Sequence, residues 1–379
     1  MKIVFICGSL EKGRDGVGDY TRQLASEIIR MGHECHAIAI NDMNCDELML
    51  TSSQLVRDVS VPVTRLSRNV AWSKRIRASK KIISSLKPEW LSLQFVPYSY
   101  NSKGIPILLP YKMKKFGSTY HWHIMFHELS LDFGLPLPLK EQTITLFQKF
   151  IIRNTIRQLQ PKLISTQTTD YVQKLEHLSG EPILKLPLFS NIVKAPPNAT
   201  LACRLMNIPQ NTRDDFLIGL AFGNLHGGTL TNSLIMPFIA AAKVRNKTPF
   251  FVHVGNLTTT AMDQWESFNR NRPSGLKTLK LGFLPDPDLS QVIQECDFGI
   301  STTPWSLAEK SGTVATLLEL RKSVWFLSNP FPGPNPELEG VSLNLNECLL
   351  HTHKCNSGLT KVAEGFLENL NGTLTKEHD

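Results

Sequence analysis

Nowhere in the 379 residues does an apolar run approach the roughly 18 to 20 consecutive residues a helix needs to cross a bilayer. The sequence therefore reads as that of a chain that does not span a membrane. Internal repeats and low-complexity runs are also missing. With 41% apolar and 20% charged residues, the composition fits a folding chain rather than a disordered or fibrous one. The opening MKIVFICGSL has no small-residue cleavage site and reads as a first strand, so export is not expected. Seven cysteines, an odd number without a repeating spacing, give no disulfide framework and suit a reducing cytoplasm. His351, His353 and Cys355 are the nearest thing to a metal cluster, but their i, i+2, i+4 spacing matches no common zinc pattern, and no metal is expected.

What is present is organised in two halves. Residues 1–200 hold 26 basic and 16 acidic residues, and residues 201–379 hold 15 and 17, so all of the net +8 sits in the first half. Such a field favours an anionic partner, either an acidic substrate or membrane headgroups, and is equally compatible with a basic surface that only aids solubility. Strand-length apolar runs alternate with helical periodicity, the pattern of parallel sheets covered by helices. The first series runs from Lys2–Cys7 to Ile183–Phe189, and a second begins at Phe216 and ends at Ser323–Ser328. The rhythm lapses through NIVKAPPNAT. This predicts an amino-terminal domain over 1–192, a linker over 193–214, a second α/β domain over 215–350, and a closing helix and tail over 351–379. Open α/β sheets bind ligands at the carboxyl ends of their strands, so two of them in one chain predict a cleft between the domains.

The motifs fall in loops that follow strands. The first strand leads into GSLEKGRDGVGDYT, where Gly16 and Gly18 let backbone N–H groups approach an anion at a helix start. Tyr20 and Thr21 stand where a dinucleotide fingerprint would need its last glycine, which disfavours NAD and FAD. Alternation places His121, His123 and His127 on one strand face. His127, at the strand end beside Glu128, is a candidate hydrogen-bond donor to a sugar hydroxyl or phosphate, and a satisfied core histidine is the alternative. In the second half, FLIGLAFG ends in NLHGGT with Asn224 at the turn. Ser311 is a candidate N-cap, and Lys310 beside the N–H groups of Gly312 and Thr313 would make an anion site. Glu319 lies about two turns along the same helix face.

These segments resemble the nucleotide-sugar glycosyltransferases of the GT-B fold, most closely the large retaining family of bacterial cell-surface sugar transferases. The likeness rests on KIVFICGSL with GVGDYTRQLASEIIRMGHECHAIAI, WLSLQFVPYSY, IMFHEL, LPLFSNI, and GFLPDPDLSQVIQECDFGISTTP leading to SGTVATLLE. It implies two Rossmann-like α/β domains facing a central cleft, and transfer of a hexose from a nucleotide diphosphate sugar to a glycan or lipid-linked acceptor with retention. By that resemblance His127 and Ser311 would stand at the reacting sugar, with Asp19, Tyr20 and Glu128 on the acceptor side. The donor would meet Gly16, Gly18, Asn224, Lys310, Gly312 and Thr313, with its base at Phe283 and Leu284 and its ribose at Glu319. Two positions depart from the family pattern. Ser311 replaces the first of two glutamates, and FGNLHGGTLTN lacks the Arg and Lys that usually hold the diphosphate. The resemblance implies no cofactor and no metal, and a cytoplasmic enzyme of polysaccharide biosynthesis, peripheral at the inner membrane face. Two alternatives stay open: a nucleotide-sugar epimerase or hydrolase of similar architecture, and a catalytically inactive binding protein.

One further stretch bears on location. From Val70 to Lys87, Trp72, Ile76, Ile83 and Leu86 recur at helical spacing, with Lys74, Arg75, Arg77, Lys80 and Lys81 elsewhere on the helix. This predicts either an interfacial helix docking on an anionic membrane surface or a stripe that packs on the sheet. Nucleic acid is not an expected partner, because the basic residues lack the interleaved aromatics of nucleic-acid readers.

Overall fold

The computed structural model describes residues 1–117, 119–129, 138–226, 230–327, 336–350 and 358–375. The chain forms two compact units, Met1–Pro187 with Leu359–Asp379, and Leu188–Gly358.

The first unit is built on eight strands: β1 (Lys2–Cys7), β2 (Glu34–Asp42), β3 (Met49–Val56), β4 (Val59–Ser67), β5 (Trp90–Phe95), β6 (His121–Phe126), β7 (Leu163–Thr166) and β8 (Leu184–Lys185). They lie in the order β3-β4-β2-β1-β5-β6-β7-β8, parallel except for the β3/β4 pair. Every residue of β5 and all but the first of β1 and β6 are buried, as helices on both faces of a parallel sheet require. The sequence pattern misses β3. Its TSSQ core is polar because it is an edge strand, held only by antiparallel pairing to β4 through a two-residue turn in which Arg57 and Asp58 both have positive φ. Helix Trp72–Leu86 settles one open alternative. Ile76 and Ile83 are buried in the sheet core with Trp72 and Leu86 packed against it, so the apolar stripe faces inward and is no interfacial face.

The closing helix, Leu359–Thr375, belongs to this first unit. Its apolar face is covered there: Ala363, Phe366 and Leu370 are fully buried, and Phe366 packs on Phe5 at 6.3 Å and on His123 at 4.8 Å.

The second unit is a six-stranded parallel sheet of β9 (Phe216–Phe222), β10 (Thr248–Val254), β11 (Lys277–Lys280), β12 (Phe298–Ser301), β13 (Val324–Phe326) and β14 (Val341–Ser342). The order is β11-β10-β9-β12-β13-β14. The span 193–214, expected as a linker, is instead part of this unit. Helix Ala199–Leu205 buries Ala202 and Cys203 against the core. The proline-rich stretch before it is clamped to helix Asp286–Glu295: Ala195 N donates to Ser290 Oγ at 2.9 Å, Asn198 N to Gln291 Oε1 at 2.6 Å, and Gln294 Nε2 to Ala195 O at 2.9 Å. A stretch without apolar rhythm is ordered here because side-chain amides and a hydroxyl satisfy its backbone.

Candidate functional site

In the second unit the chain leaves β9 for β10 on one side and returns to β12 on the other, so the sheet's topological switch point lies between β9 and β12. Glycines close the strand ends there. Gly223 and Gly255 have φ of +82° and +112°, and a Cβ on Gly255 would lie 3.1 Å from Gly223 N. A Cβ on Gly223 would meet Thr313 Cγ2 at 3.2 Å, which puts the start of helix Gly312–Glu319 directly against the end of β9. Ser311 caps that helix, as expected. Its Oγ accepts from Val314 N at 3.4 Å and pairs with Thr313 Oγ1 at 2.9 Å and Thr303 Oγ1 at 3.4 Å. The loop after β12 continues this polar wall. His226 N donates to Thr302 Oγ1 at 2.9 Å, and Thr303 N donates to Ser301 Oγ at 3.2 Å.

The other candidates of this unit lie on the same strand ends or on the adjoining helix. Asn224 Oδ1 accepts from Thr258 N and Thr258 Oγ1 at 3.1 and 3.2 Å and so ties the β9 turn to the next helix. Gly255 N donates to Gly282 O at 2.6 Å, which brings the turn before Phe283 and Leu284 alongside; Phe283 is exposed and Leu284 rests on the core. Lys310 ends the short turn Trp305–Lys310 and is half-buried. Glu319 is half-buried at the far end of the helix, where its carboxylate accepts from Ser190 N at 2.8 Å. Beneath the strand ends, His253 Nε2–H donates to Gly223 O at 2.9 Å. Burial pushes His253 down to about 4 and fixes it neutral. Gly227 and Gly228, the glycine pair of NLHGGT, lie outside the described residues, as do His351, His353 and Cys355.

In the first unit the switch point is between β1 and β5. The loop after β1 is held by charge. Asp42 is fully buried at the end of β2 and accepts from Arg65 Nε at 2.8 Å, Arg65 Nη2 at 3.1 Å, Leu10 N at 3.0 Å and Ser9 Oγ at 3.2 Å. Burial alone would raise the Asp42 carboxyl; the hydrogen bonds from Arg65, Leu10 N and Asn44 N outweigh it and hold the group below the ordinary carboxylate value. Arg65 also pairs with Glu11. Asp15 caps helix Gly16–Arg30 by accepting from Gly18 N at 2.7 Å. A Cβ on Gly18 would come within 2.4 Å of Ser9 O, so glycine permits the helix to touch the loop backbone. Gly16, by contrast, is exposed with open space at its Cβ position.

The acceptor-side candidates divide. Asp19 pins the loop by accepting from Gly13 N at 3.1 Å and pairing with buried Arg22. Tyr20 is buried, its ring edge-on to His127 at 4.9 Å, and Glu128 is half-buried. His127, expected to reach out from the strand end, is 4% exposed, and its Nε2–H donates to Gln94 Oε1 at 2.8 Å. Gln94 Nε2 donates in turn to Ser92 Oγ, and Ser92 Oγ pairs with His123 Nδ1, both at 2.8 Å. His123 Nε2 meets Ser165 Oγ at 3.0 Å. Burial, with His127 nearby, pushes His123 down to about 3, the state of a packed core histidine. Sequence reasoning missed Gln94, Asp42, Arg65 and the Thr302/Thr303 pair. The TTP following β12 was the available signal for the last of these; the Asp42–Arg65 pairing, 23 residues apart, has no local signal.

Among solved structures, the UDP-GlcNAc 2-epimerase of Methanocaldococcus jannaschii aligns over 98% of this chain and 99% of its own, with a TM-score of 0.52 at 13% identity. The lipopolysaccharide outer core galactosyltransferase WaaB aligns over 100% of both chains, with a TM-score of 0.51 at 14% identity. A glycosyltransferase from Rickettsia africae aligns over 99% of this chain and 96% of its own, with a TM-score of 0.50 at 13% identity. The chain thus has the GT-B fold, two α/β units of Rossmann type. No protein-family model matches the sequence, and no curated protein matches it significantly.

Proposed function

We propose that the protein is a glycosyltransferase that moves a sugar from a nucleotide diphosphate sugar to a glycan or lipid-linked acceptor, with retention at the anomeric carbon and without a metal. The observation that carries this reading is the polar wall at the switch point of the second unit. The capped start of helix Gly312–Glu319, lined by the hydroxyls of Thr303, Ser311 and Thr313, abuts the strand end at Gly223, whose missing side chain lets Thr313 approach the backbone there. A diphosphate is the anion such a helix start accepts, with Lys310 adding a positive charge. The base would lie along the turn at Phe283 and Leu284, and the ribose at Glu319, whose helix position is the one the family likeness assigns to that role. Developing charge on the leaving diphosphate would be met by fixed dipoles rather than by the missing Arg and Lys pair. In the first unit, the first turn of helix Gly16–Arg30 and the strand end at Glu128 would serve the acceptor, and His127, buried between Gln94 and Tyr20, would hold that strand end in place.

The fold neighbours also favour a second reading, epimerisation of a nucleotide sugar, since UDP-GlcNAc 2-epimerases align as fully as glycosyltransferases do. That chemistry needs carboxylates around the sugar. In the described second unit Glu309 and Glu319 each accept from a backbone amide, of Glu337 and Ser190, which suits structural and ribose-binding roles better than proton transfer.

Incubation of the protein with a panel of nucleotide sugars, following nucleoside diphosphate release and epimer formation together, separates the two. Release stimulated by an acceptor extract is expected; epimer without release would replace this reading with the second. Calorimetry with the nucleoside diphosphate locates the site. Lys310→Ala should weaken the diphosphate at least tenfold and the bare nucleoside little, and Glu319→Gln should weaken both. Unchanged affinities would remove the donor site from this helix.

A further inference from the structure

Over the described residues each of the two sheets has two edge strands, and three of the four are blunted in the ways that keep a sheet from adding another strand. β8 and β14 are two residues long, and β11, KTLK, carries a lysine at each end. β3 is the exception. It runs for eight residues, pairs with β4 without a bulge, and its sequence MLTSSQLV has no charged residue, proline or glycine. Apolar side chains gather there in the open: Leu48, just before the strand, is 58% exposed, Met49 42% and Leu55 67%. A long, uncharged, exposed edge of this kind is a template for pairing with another chain.

The outer side of β3 presents a regular set of backbone groups. Ser53 lies opposite Pro62, which has no N–H, so the two exchange no hydrogen bonds and the Ser53 N–H and C=O point away from β4. Such pairs alternate along an antiparallel ladder, so Met49, Thr51 and Leu55 turn their backbone groups outward as well. The side chains around Ser52 are close to palindromic. Two antiparallel copies related by a twofold axis at that residue set Ser52 against Ser52, Thr51 against Ser53, Leu50 against Gln54, Met49 against Leu55 and Leu48 against Val56. Outward-facing residues then meet outward-facing residues, and the exposed side chains of Met49 and Leu55 cover each other on one face. Just past the ladder the same register brings Glu47 across from Arg57; Asp46 and Asp58 fall one position further out and are exposed. Parallel pairing would instead set the two acidic starts, Asp46 and Glu47, side by side.

We propose that β3 pairs with β3 of a second copy of the chain, antiparallel about Ser52, and joins the first units of the two copies through one continuous sheet. The contact is isologous and closed, since each copy's free edge is used up in making it. A foreign strand would find no charged side chain on β3 to recognise, whereas the strand's own sequence is complementary to itself about Ser52. β4 and β2 stand between this edge and the switch point at β1 and β5, and the proposal is independent of the reaction assigned above.

Light scattering and sedimentation velocity on the full chain test it, and a closed dimer is expected. Ser53→Pro removes an outward N–H and no bond to β4, so it should weaken the dimer at least tenfold with little change in the thermal transition. Ser52→Lys sets two lysines against each other at an exposed position and should do the same, less so as salt rises. The register has its own readout. Facing residues that exchange no hydrogen bonds hold their Cα atoms about 4.5 Å apart, within disulfide reach, so Ser52→Cys should give a covalent dimer under mild oxidation. Leu55→Cys, exposed but opposite Met49, should not, and the parent, whose described cysteines are all buried, is the control. A monomer at the highest soluble concentration would overturn the proposal, as would a dimer that survives Ser53→Pro and Ser52→Lys, which would put the interface elsewhere. Equal cross-linking of the two cysteine variants would overturn the register, and open-ended aggregates in place of a dimer would overturn the closed pairing.

Discussion

The two units use the same plan, a parallel sheet with its loops at the carboxyl ends of the strands, but fix those loops by different means. In the first unit the loop after β1 is anchored by buried charge: Asp42 with Arg65, Arg65 with Glu11, Arg22 with Asp19. In the second, the described strand ends are joined by neutral groups: Asn224 to Thr258, His226 N to Thr302, Ser311 to Thr303 and Thr313. A buried ion pair is strongly destabilising to break from one side, whereas a neutral hydrogen bond contributes about 0.5–1.5 kcal/mol net and can be exchanged for a similar one. The first loop is therefore a fixed platform, and the second is a set of donors and acceptors that a ligand can take over at small cost. The donor site proposed for the second unit would use that exchangeable set.

The sharpest way to break this comparison is to remove one partner of the charged platform. Arg65→Met leaves the Asp42 carboxylate buried without its guanidinium and should cost about 3–5 kcal/mol. Calorimetry should show the loss in one unit's unfolding only. A cost near that of a neutral hydrogen bond would mean that the platform is no more committed than the donor wall. The effect has a pH signature. Because the folded unit holds Asp42 below the ordinary carboxylate value, the pair stabilises at neutral pH, and its contribution fades as pH falls through the lowered value.

The second unit has its own acid sensitivity, of different origin. His253, fully buried under Gly223, is held neutral with its titration pushed down to about 4. Between the ordinary histidine value near 6.5 and about 4, the unfolded chain takes up a proton that the folded unit refuses. Stability should therefore fall as pH drops through that window, by about 3 kcal/mol in all, and be unaffected above it. In His253→Gln the second unit's melting temperature should vary less between pH 7 and 4.5. An unchanged pH slope would remove the histidine from this role.

How far the sequence disclosed this molecule depends on the range of the interactions. Strands buried on both faces, such as Lys2–Cys7 and Trp90–Phe95, announce themselves as apolar runs, and the Ser311 cap is visible because capping is a local bond. Hidden were features decided by a distant partner. Polar β3 is a strand because β4 lies beside it; the 193–214 span is ordered because Ser290, Gln291 and Gln294 receive it; the closing helix belongs to the first unit because Phe366 finds Phe5 there. The stripe of helix Trp72–Leu86 was legible but ambiguous, since periodicity gives an apolar face and not what covers it. Helix Leu139–Leu159 shows the converse, for its exposed Phe147 and Phe150 would pass for core residues by composition.

The smallest expected effect separates stability from binding at one residue. Ser311 Oγ accepts from Val314 N at the start of helix Gly312–Glu319, so Ser311→Ala should cost about 1 kcal/mol through the lost cap. Ser311→Asp supplies a better acceptor and complements the helix dipole, so it should restore the second unit's melting temperature or raise it slightly. It also places a negative charge beside the N–H groups of Gly312 and Thr313. If those groups receive the donor diphosphate, the aspartate variant should bind nucleoside diphosphate more weakly than the alanine variant despite being the more stable of the two. Electrostatic repulsion acts on the anion alone, so the bare nucleoside should distinguish the variants little. Differential scanning calorimetry and titration calorimetry on the same pair of proteins decide the matter. Affinities that follow stability, with aspartate the tighter binder, would mean that the neutral wall of the second unit is a folding device and the anion lies elsewhere.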